Sequence, residues 1–210
     1  MTVLQDIRAY AEKKDAFELL ECLLKEKFAG KCLVTASLKS KSVALLKMVA
    51  DIAPDTPVVF CHARDLFDES RAYRDHLVET LGLTNVSETH GERSLPVDRD
   101  ADHFECMWVE DPDGGGLIHE CVHLNDTLKD VDCWISAVYA EGPVQGPKRE
   151  RVDLDGRVLR IDVLADWAAS DVQTFLQDHD VPKHPRAAGS GPKKSARREF
   201  GKSDTVYYSY

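Results

Sequence analysis

No stretch of this 210-residue chain approaches the roughly 18 consecutive apolar residues that a membrane-spanning helix needs. The first residues, MTVLQDIRAYAEKKD, carry too many charges for a secretory signal, which leaves a reducing cytoplasm as the expected compartment. The six cysteines (Cys22, Cys32, Cys61, Cys106, Cys121 and Cys133) include no CxxC pair, and most sit in apolar runs. That spacing excludes a zinc ribbon and argues against a disulfide framework; the thiols read as small buried hydrophobes. Basic residues are also in short supply, 27 against 37 acids for a formal charge of −10, so a broad nucleic-acid surface is not expected. There is no internal repeat.

What base there is clusters late. Between 183 and 202 stand seven Lys or Arg residues against the single acid Glu199, in a Gly/Pro/Ser-rich setting. The chain therefore divides into an α/β domain over 1–185 and a basic, flexible tail over 186–210. Such a tail can meet an anion or dock on the acidic body of its own chain, and both readings stand.

The rest of the sequence is organised around KCLVTASLKSKSVALL, residues 31–46. Cys32-Leu33-Val34 is a short apolar run suited to a buried strand. From Ser42 the apolar positions Val43, Leu46, Val49, Ala50 and Ala53 take a helical spacing, with Ser42 as the expected N-cap. Between them lie Thr35, Ser37, Lys39, Ser40 and Lys41. A strand, a hydroxylated basic loop and a helix start form the place where an α/β fold can cradle an anion on backbone N–H groups. The same residues also suit an ordinary βα turn with solvated lysines. The loop has no glycine, so it is neither a Walker loop nor a dinucleotide fingerprint.

Helices are expected over 3–13, 16–28, 68–81 (closed by Gly82), 117–128 and 166–178. Buried strands are expected over 58–61 and 133–138, a wetter one over 158–163, and a short one at Val86-Ser87. Residues 89–116 and 142–151 read as irregular. Strands separated by helices imply a largely parallel sheet covered on both faces, and His62 and Arg64 fall at the carboxyl end of the second strand, where such sheets place ligands.

Four strings resemble the phosphoadenylyl-sulfate (PAPS) and adenylyl-sulfate reductase family of sulfate assimilation: TASLKSKSVALLKMVADIAPDTPVVF (35–60), DLFDESRAYRDHLVETLGL (65–83), DVDCWISAV (130–138) and VLADWAASDVQTFLQDHDVPKHP (163–185). They follow the family's order, and the last is the most specific. The resemblance implies an adenine-nucleotide α-hydrolase-like α/β fold with a mostly parallel five-stranded sheet and helices on both faces. It implies an adenine nucleotide or sulfonucleotide as ligand, held by Thr35, Ser37, Lys39, Ser40, Lys41 and Ser42. His62 and Arg64 would stand at the pocket edge, and Arg197 and Arg198 on a tail folded over it. Thioredoxin or glutaredoxin would serve as electron donor if the protein is active, and a homodimer is compatible with the family.

The chain departs from that family at each chemical position. Lys39 replaces the loop glycine, Lys41-Ser42 its acidic pair, and Cys61-His62-Ala63-Arg64 its LDTG motif. Tyr139-Ala140-Glu141-Gly142-Pro143 replaces its arginine-bearing sulfate stretch, and Gly115-Gly116 fall where some members carry a cluster-binding cysteine pair. Phe200 stands where the family's nucleophilic cysteine would be, and phenylalanine has no lone pair to donate. Cys61, beside the loop, is the candidate substitute, against the reading of a buried structural thiol. A non-catalytic binding or regulatory relative is therefore the alternative to a sulfur oxidoreductase.

A third reading comes from His119-Glu120-Cys121-Val122-His123, a literal HExxH. On the helix expected over 117–128, His119 and His123 would share a face and grip one metal, with Glu120 as base and Glu141 as a conceivable third ligand.

Overall fold

The computed structural model describes residues 2–62, 67–90, 106–110, 119–137 and 150–185. Two short helices open the chain: α1 (Val3–Ala11), capped by Thr2, and α2 (Ala16–Glu21), capped by Asp15, each in a reciprocal capping box. The second does not run on as one α-helix to residue 28. It passes into a π-helical turn, Cys22–Lys27, in which Phe28 N–H reaches back five residues to the Leu23 carbonyl.

The core follows as β1 (Cys32–Ala36), α3 (Ser40–Ile52), β2 (Val58–His62), α4 (Asp68–Leu81) and β3 (Val86–His90). Next come β4 (Cys106–Glu110), β5 (His119–His123), α5 (Asn125–Leu128), β6 (Cys133–Ser136), β7 (Val152–Asp155), β8 (Val158–Ile161) and α6 (Ala169–Asp178). The main sheet has six strands in the order β3-β2-β1-β6-β8-β7, one more than the five expected. All its pairings are parallel except β7 with β8. The extra strand is β7, whose first residue directly follows the expected 142–151 loop. Its four residues turn back on β8 through Gly156, too short a run to announce itself by period.

Alternation along β1 divides the core. Cys32, Val34 and Ala36 face the helices α1, α2, α3, α4 and α6, whose apolar sides build the larger cluster around Leu19, Leu20, Leu45, Leu46 and Leu77. Leu33 faces the other way, with Val59, Cys61, Trp134 and Val158, against Leu124 and Leu128 at α5. Both faces of β1 and β2 are buried, which explains why they read as unbroken apolar runs. At Gly82 the backbone turns left-handed (φ 68°) to close α4, a conformation that glycine adopts without strain.

The sequence expectation fails most plainly at 117–128. Residues 119–123 form an antiparallel ribbon with β4, pairing Cys106 with His123 and Glu110 with His119, and only Asn125–Leu128 is helical. A spacing of four keeps two residues on one face in a strand as well as in a helix, so the pattern alone does not separate them. The partner that decides it, β4, lies within the stretch expected to be irregular.

Among the described residues, no helix is long and apolar enough to cross a membrane.

Candidate functional site

In an open parallel sheet, ligands bind beyond the carboxyl ends of the strands, where the winding reverses direction. Here β1 is followed on one side by β2 and β3 and on the other by β6, so the reversal lies between β1 and β6. Their last rung pairs Thr35 with Ser136, both buried. The Trp134 indole N–H donates to Thr35 Oγ1 at 2.8 Å, locking the two strands together directly before the loop.

That loop departs in one respect from the expected cap. Helix α3 begins at Ser40 with Lys39 as N-cap, and no side chain caps it; Ser42 lies inside the first turn and is buried. The physical reason is local pairing. Ser37 Oγ accepts the Lys39 N–H at 3.3 Å, which closes the bend two residues early, and lies 3.2 Å from Ser42 Oγ. The start of α3 therefore carries Lys39 and Ser40 exposed and Lys41 half-buried, and the side chain of its N-cap residue, Lys39, does not cap it.

Lys41 Nζ lies 3.8 Å from Asp162 Oδ2, at the carboxyl end of β8. The other oxygen, Oδ1, accepts the Leu164 N–H at 3.0 Å, while Oδ2 has no hydrogen-bond partner although it is buried. Burial pushes the Asp162 carboxyl up, and the nearby Lys41 charge offsets only part of that shift. Asp162 and Ser136 were not singled out from the sequence. The alternation of 158–163 placed Asp162 near a strand end, but only the sheet order brings it to Lys41.

His62 ends β2 at 8% exposure. It does not stand alone at a pocket edge: Nε2 is 3.2 Å from Glu88 Oε2, and Nδ1 is 3.1 Å from His90 Nδ1. Arg74, from α4, also reaches Glu88 Oε2. Partial burial works to raise the Glu88 carboxyl, but the His62 hydrogen bond and the Arg74 charge outweigh it, so its pKa lies below the ordinary value.

Cys61 is fully buried on the opposite face of the sheet, and burial pushes its thiol up to about 12. It remains protonated at neutral pH and is unsuited to attack. Cys22 is also raised by burial; Cys133 is raised by its hydrogen bond with Cys32, with which it forms a rung of β1 and β6, and by burial.

The HExxH reading is corrected by the backbone. On a strand, residues four apart lie about 13 Å apart, against about 6 Å on a helix, so His119 and His123 lack the zincin spacing. Glu141, Arg64, Arg197, Arg198 and Phe200 lie outside the described residues, as do Gly115-Gly116 and the tail.

Residues 31–186 match the family model of the phosphoadenosine phosphosulfate reductase domain. An adenosine 5′-phosphosulfate reductase of Salinibacter ruber is 27% identical over 146 residues, covering 69% of this chain and 57% of that protein. A phosphoadenosine 5′-phosphosulfate reductase of Alkalilimnicola ehrlichii is 24% identical over 164 residues, covering 76% and 66%. The chain thus aligns with less than two thirds of the length of either relative. In fold it is similar to the Candida auris phosphoadenylyl-sulfate reductase, solved as a phosphate complex: TM-score 0.59 at 10% identity, over 90% of this chain and 92% of that one. With the family's motifs in order, its domain matched from β1 to the end of the described chain, and its architecture reproduced, this chain belongs to the phosphoadenosine phosphosulfate reductase domain family.

Proposed function

We propose that the protein binds an adenine nucleotide or adenine sulfonucleotide in sulfur metabolism, with the anionic group on the loop 35–42. The observation that carries this reading is the start of α3. It is not capped by the side chain of its N-cap residue, sits beside the β1/β6 reversal, and presents Lys39, Ser40 and Lys41 together. Backbone N–H groups and the positive end of the helix favour an anion there, and two lysines add charge without fixing a bidentate geometry. Family membership supplies the class of ligand. Arg197 and Arg198, on the basic tail, would add counter-charge, and Arg64 would close the β2 side.

On the same reading neither Phe200 nor Cys61 supplies the nucleophile of a thiol-dependent reduction, which puts that activity in doubt. Phe200 occupies the nucleophile's place in the motif, and the Cys61 thiol is buried and protonated. A thioredoxin or glutaredoxin donor would then have no enzyme S-sulfocysteine to resolve. The binding or regulatory alternative is favoured by that observation.

Calorimetric titration with phosphoadenylyl sulfate, adenylyl sulfate, ATP and AMP, run beside the Lys39→Ala/Lys41→Ala variant, tests the binding site. The expected result is binding of at least one of the four, weakened roughly tenfold or more in the variant, or about 1.4 kcal/mol. No binding to any of them overturns the reading. Sulfite release from a sulfonucleotide in the presence of reduced thioredoxin overturns the second part.

A further inference from the structure

Strands β2 and β3 are adjacent and parallel, and their last rung pairs His62 with His90. Residues on one rung project to the same face. Glu88, two positions before His90 and paired with Phe60, projects to that face as well. The register thus brings two imidazoles and one carboxylate together at the carboxyl edge of the sheet, on the side of α4. One ligand atom from each lies within 4.8 Å of the other two.

We propose that His62, Glu88 and His90 form a binding site for one divalent first-row cation, of which zinc is the best fit. Two ligand nitrogens on one tetrahedral zinc stand about 3.3 Å apart, given Zn–N bonds of about 2.05 Å. The two Nδ1 atoms stand at 3.1 Å. Their rings meet edge to face, with centroids 4.4 Å apart.

Glu88 joins the two imidazoles when its exposed side chain turns from the His62 Nε2 contact toward the paired Nδ1 atoms. Arg74 and His62 both engage Oε2, and among the described residues Oε1 has no hydrogen-bond partner. Arg74 also holds the carboxylate over the end of β3. Arg74 and Glu88 also line an open groove of about 540 Å³ between α4 and β3. Two imidazoles and one carboxylate with open positions are a donor set that zinc accepts and that calcium and magnesium, which favour oxygen, do not. The site stands one strand beyond the β1/β6 reversal, and it does not depend on the loop 35–42 binding a nucleotide.

Titration with Co²⁺ and Zn²⁺ in the absence of nucleotide tests this directly. Co²⁺ is read by its visible absorption and Zn²⁺ by competition with a chromophoric chelator. Wild type is expected to bind one equivalent, with the visible band of low-coordinate cobalt and no near-ultraviolet thiolate charge transfer. His90→Ala, at an exposed position, is expected to keep the wild-type circular dichroism and lose affinity roughly 100-fold or more; Glu88→Gln falls by roughly tenfold or more, in the range that disturbed metal shells show. His76→Ala, an exposed histidine on α4, is expected to bind as wild type. No binding by wild type, full-strength binding by folded His90→Ala, or a thiolate charge-transfer band each overturns the proposal.

Discussion

At Asp162 a single carboxyl carries the tension between folding and site chemistry. Burial raises its pKa above the ordinary aspartate value, so the folded protein holds this proton more tightly than the unfolded chain does. Stability from this group is fully present below the ordinary aspartate pKa and is lost as pH rises through the raised one. Asp162→Asn is therefore expected to raise Tm relative to wild type at neutral pH, with the difference shrinking as pH falls into the acid range; scanning calorimetry from pH 7 to pH 4 reads it. A difference that grows on acidification would show that the Lys41 contact, not burial, dominates. Trp134 makes the opposite case. Trp134→Phe removes the donor to Thr35 Oγ1 and opens a space in the smaller core, with an expected cost of about 1–3 kcal/mol in urea unfolding. Because that bond fastens β1 to β6 beside the loop, nucleotide affinity is expected to fall with it.

The same scale shows why the site was only half legible. Lys39 ends the loop as expected, whereas Ser40 and Lys41, expected in the loop, open α3 because the Ser37 pairing starts the helix two residues early. Thr35 and Ser42, which look like ligand hydroxyls, are buried: Thr35 accepts from Trp134, and Ser42 faces Ser37. Their roles depend on residues 99 and five positions away. Asp162, Ser136, Glu88 and His90 reach the carboxyl edge only through sheet order, which no window of sequence contains.

Elements fared according to how much of their stability is local. Helix α4 keeps its expected bounds over 68–81 because apolar period and the Gly82 terminator agree. A Cβ at Gly82 would meet nothing within 4 Å, so Gly82→Ala is expected to cost only the strain of a left-handed alanine, about 1 kcal/mol, measurable as a shift in the urea midpoint. The ribbon of β4 and β5 was missed because each strand exists by virtue of the other. The helix expected over 16–28 changes its winding at Cys22 without any proline or glycine to announce it. Behind α6, Tyr73 Oη donates to the Pro182 carbonyl at 2.8 Å, and His184 Nε2 lies 3.1 Å from Ser70 Oγ. These contacts tie the 182–185 segment to α4. The family string at that place is thus a fastening of chain to helix, and Tyr73→Phe combined with His184→Ala is expected to speed amide hydrogen exchange around residue 182 while leaving β1 unchanged.

Across the whole molecule, the family's fold is kept. The α/β class, the parallel sheet and the order of its helices were readable because an apolar run between helical segments has few other uses. The sixth strand was not readable. At the scale of the sheet the family's scaffold is present, with the loop 35–42 beside the β1/β6 reversal. The described thiols, those of Cys22, Cys32, Cys61 and Cys133, are buried.

The central place of β1 also has a consequence in time. Its neighbour β2 follows within a single helix, whereas its other neighbour, β6, supplies a tryptophan 99 residues downstream of the threonine it meets. A chain growing from its amino end can pair β1 with β2 and β3 early, yet the wall of the β1/β6 crevice must wait for β6. The rate at which the crevice closes is therefore set by a long loop search rather than by local helix formation. A ligand seated there would act on the last step of folding, after the helices are already in place.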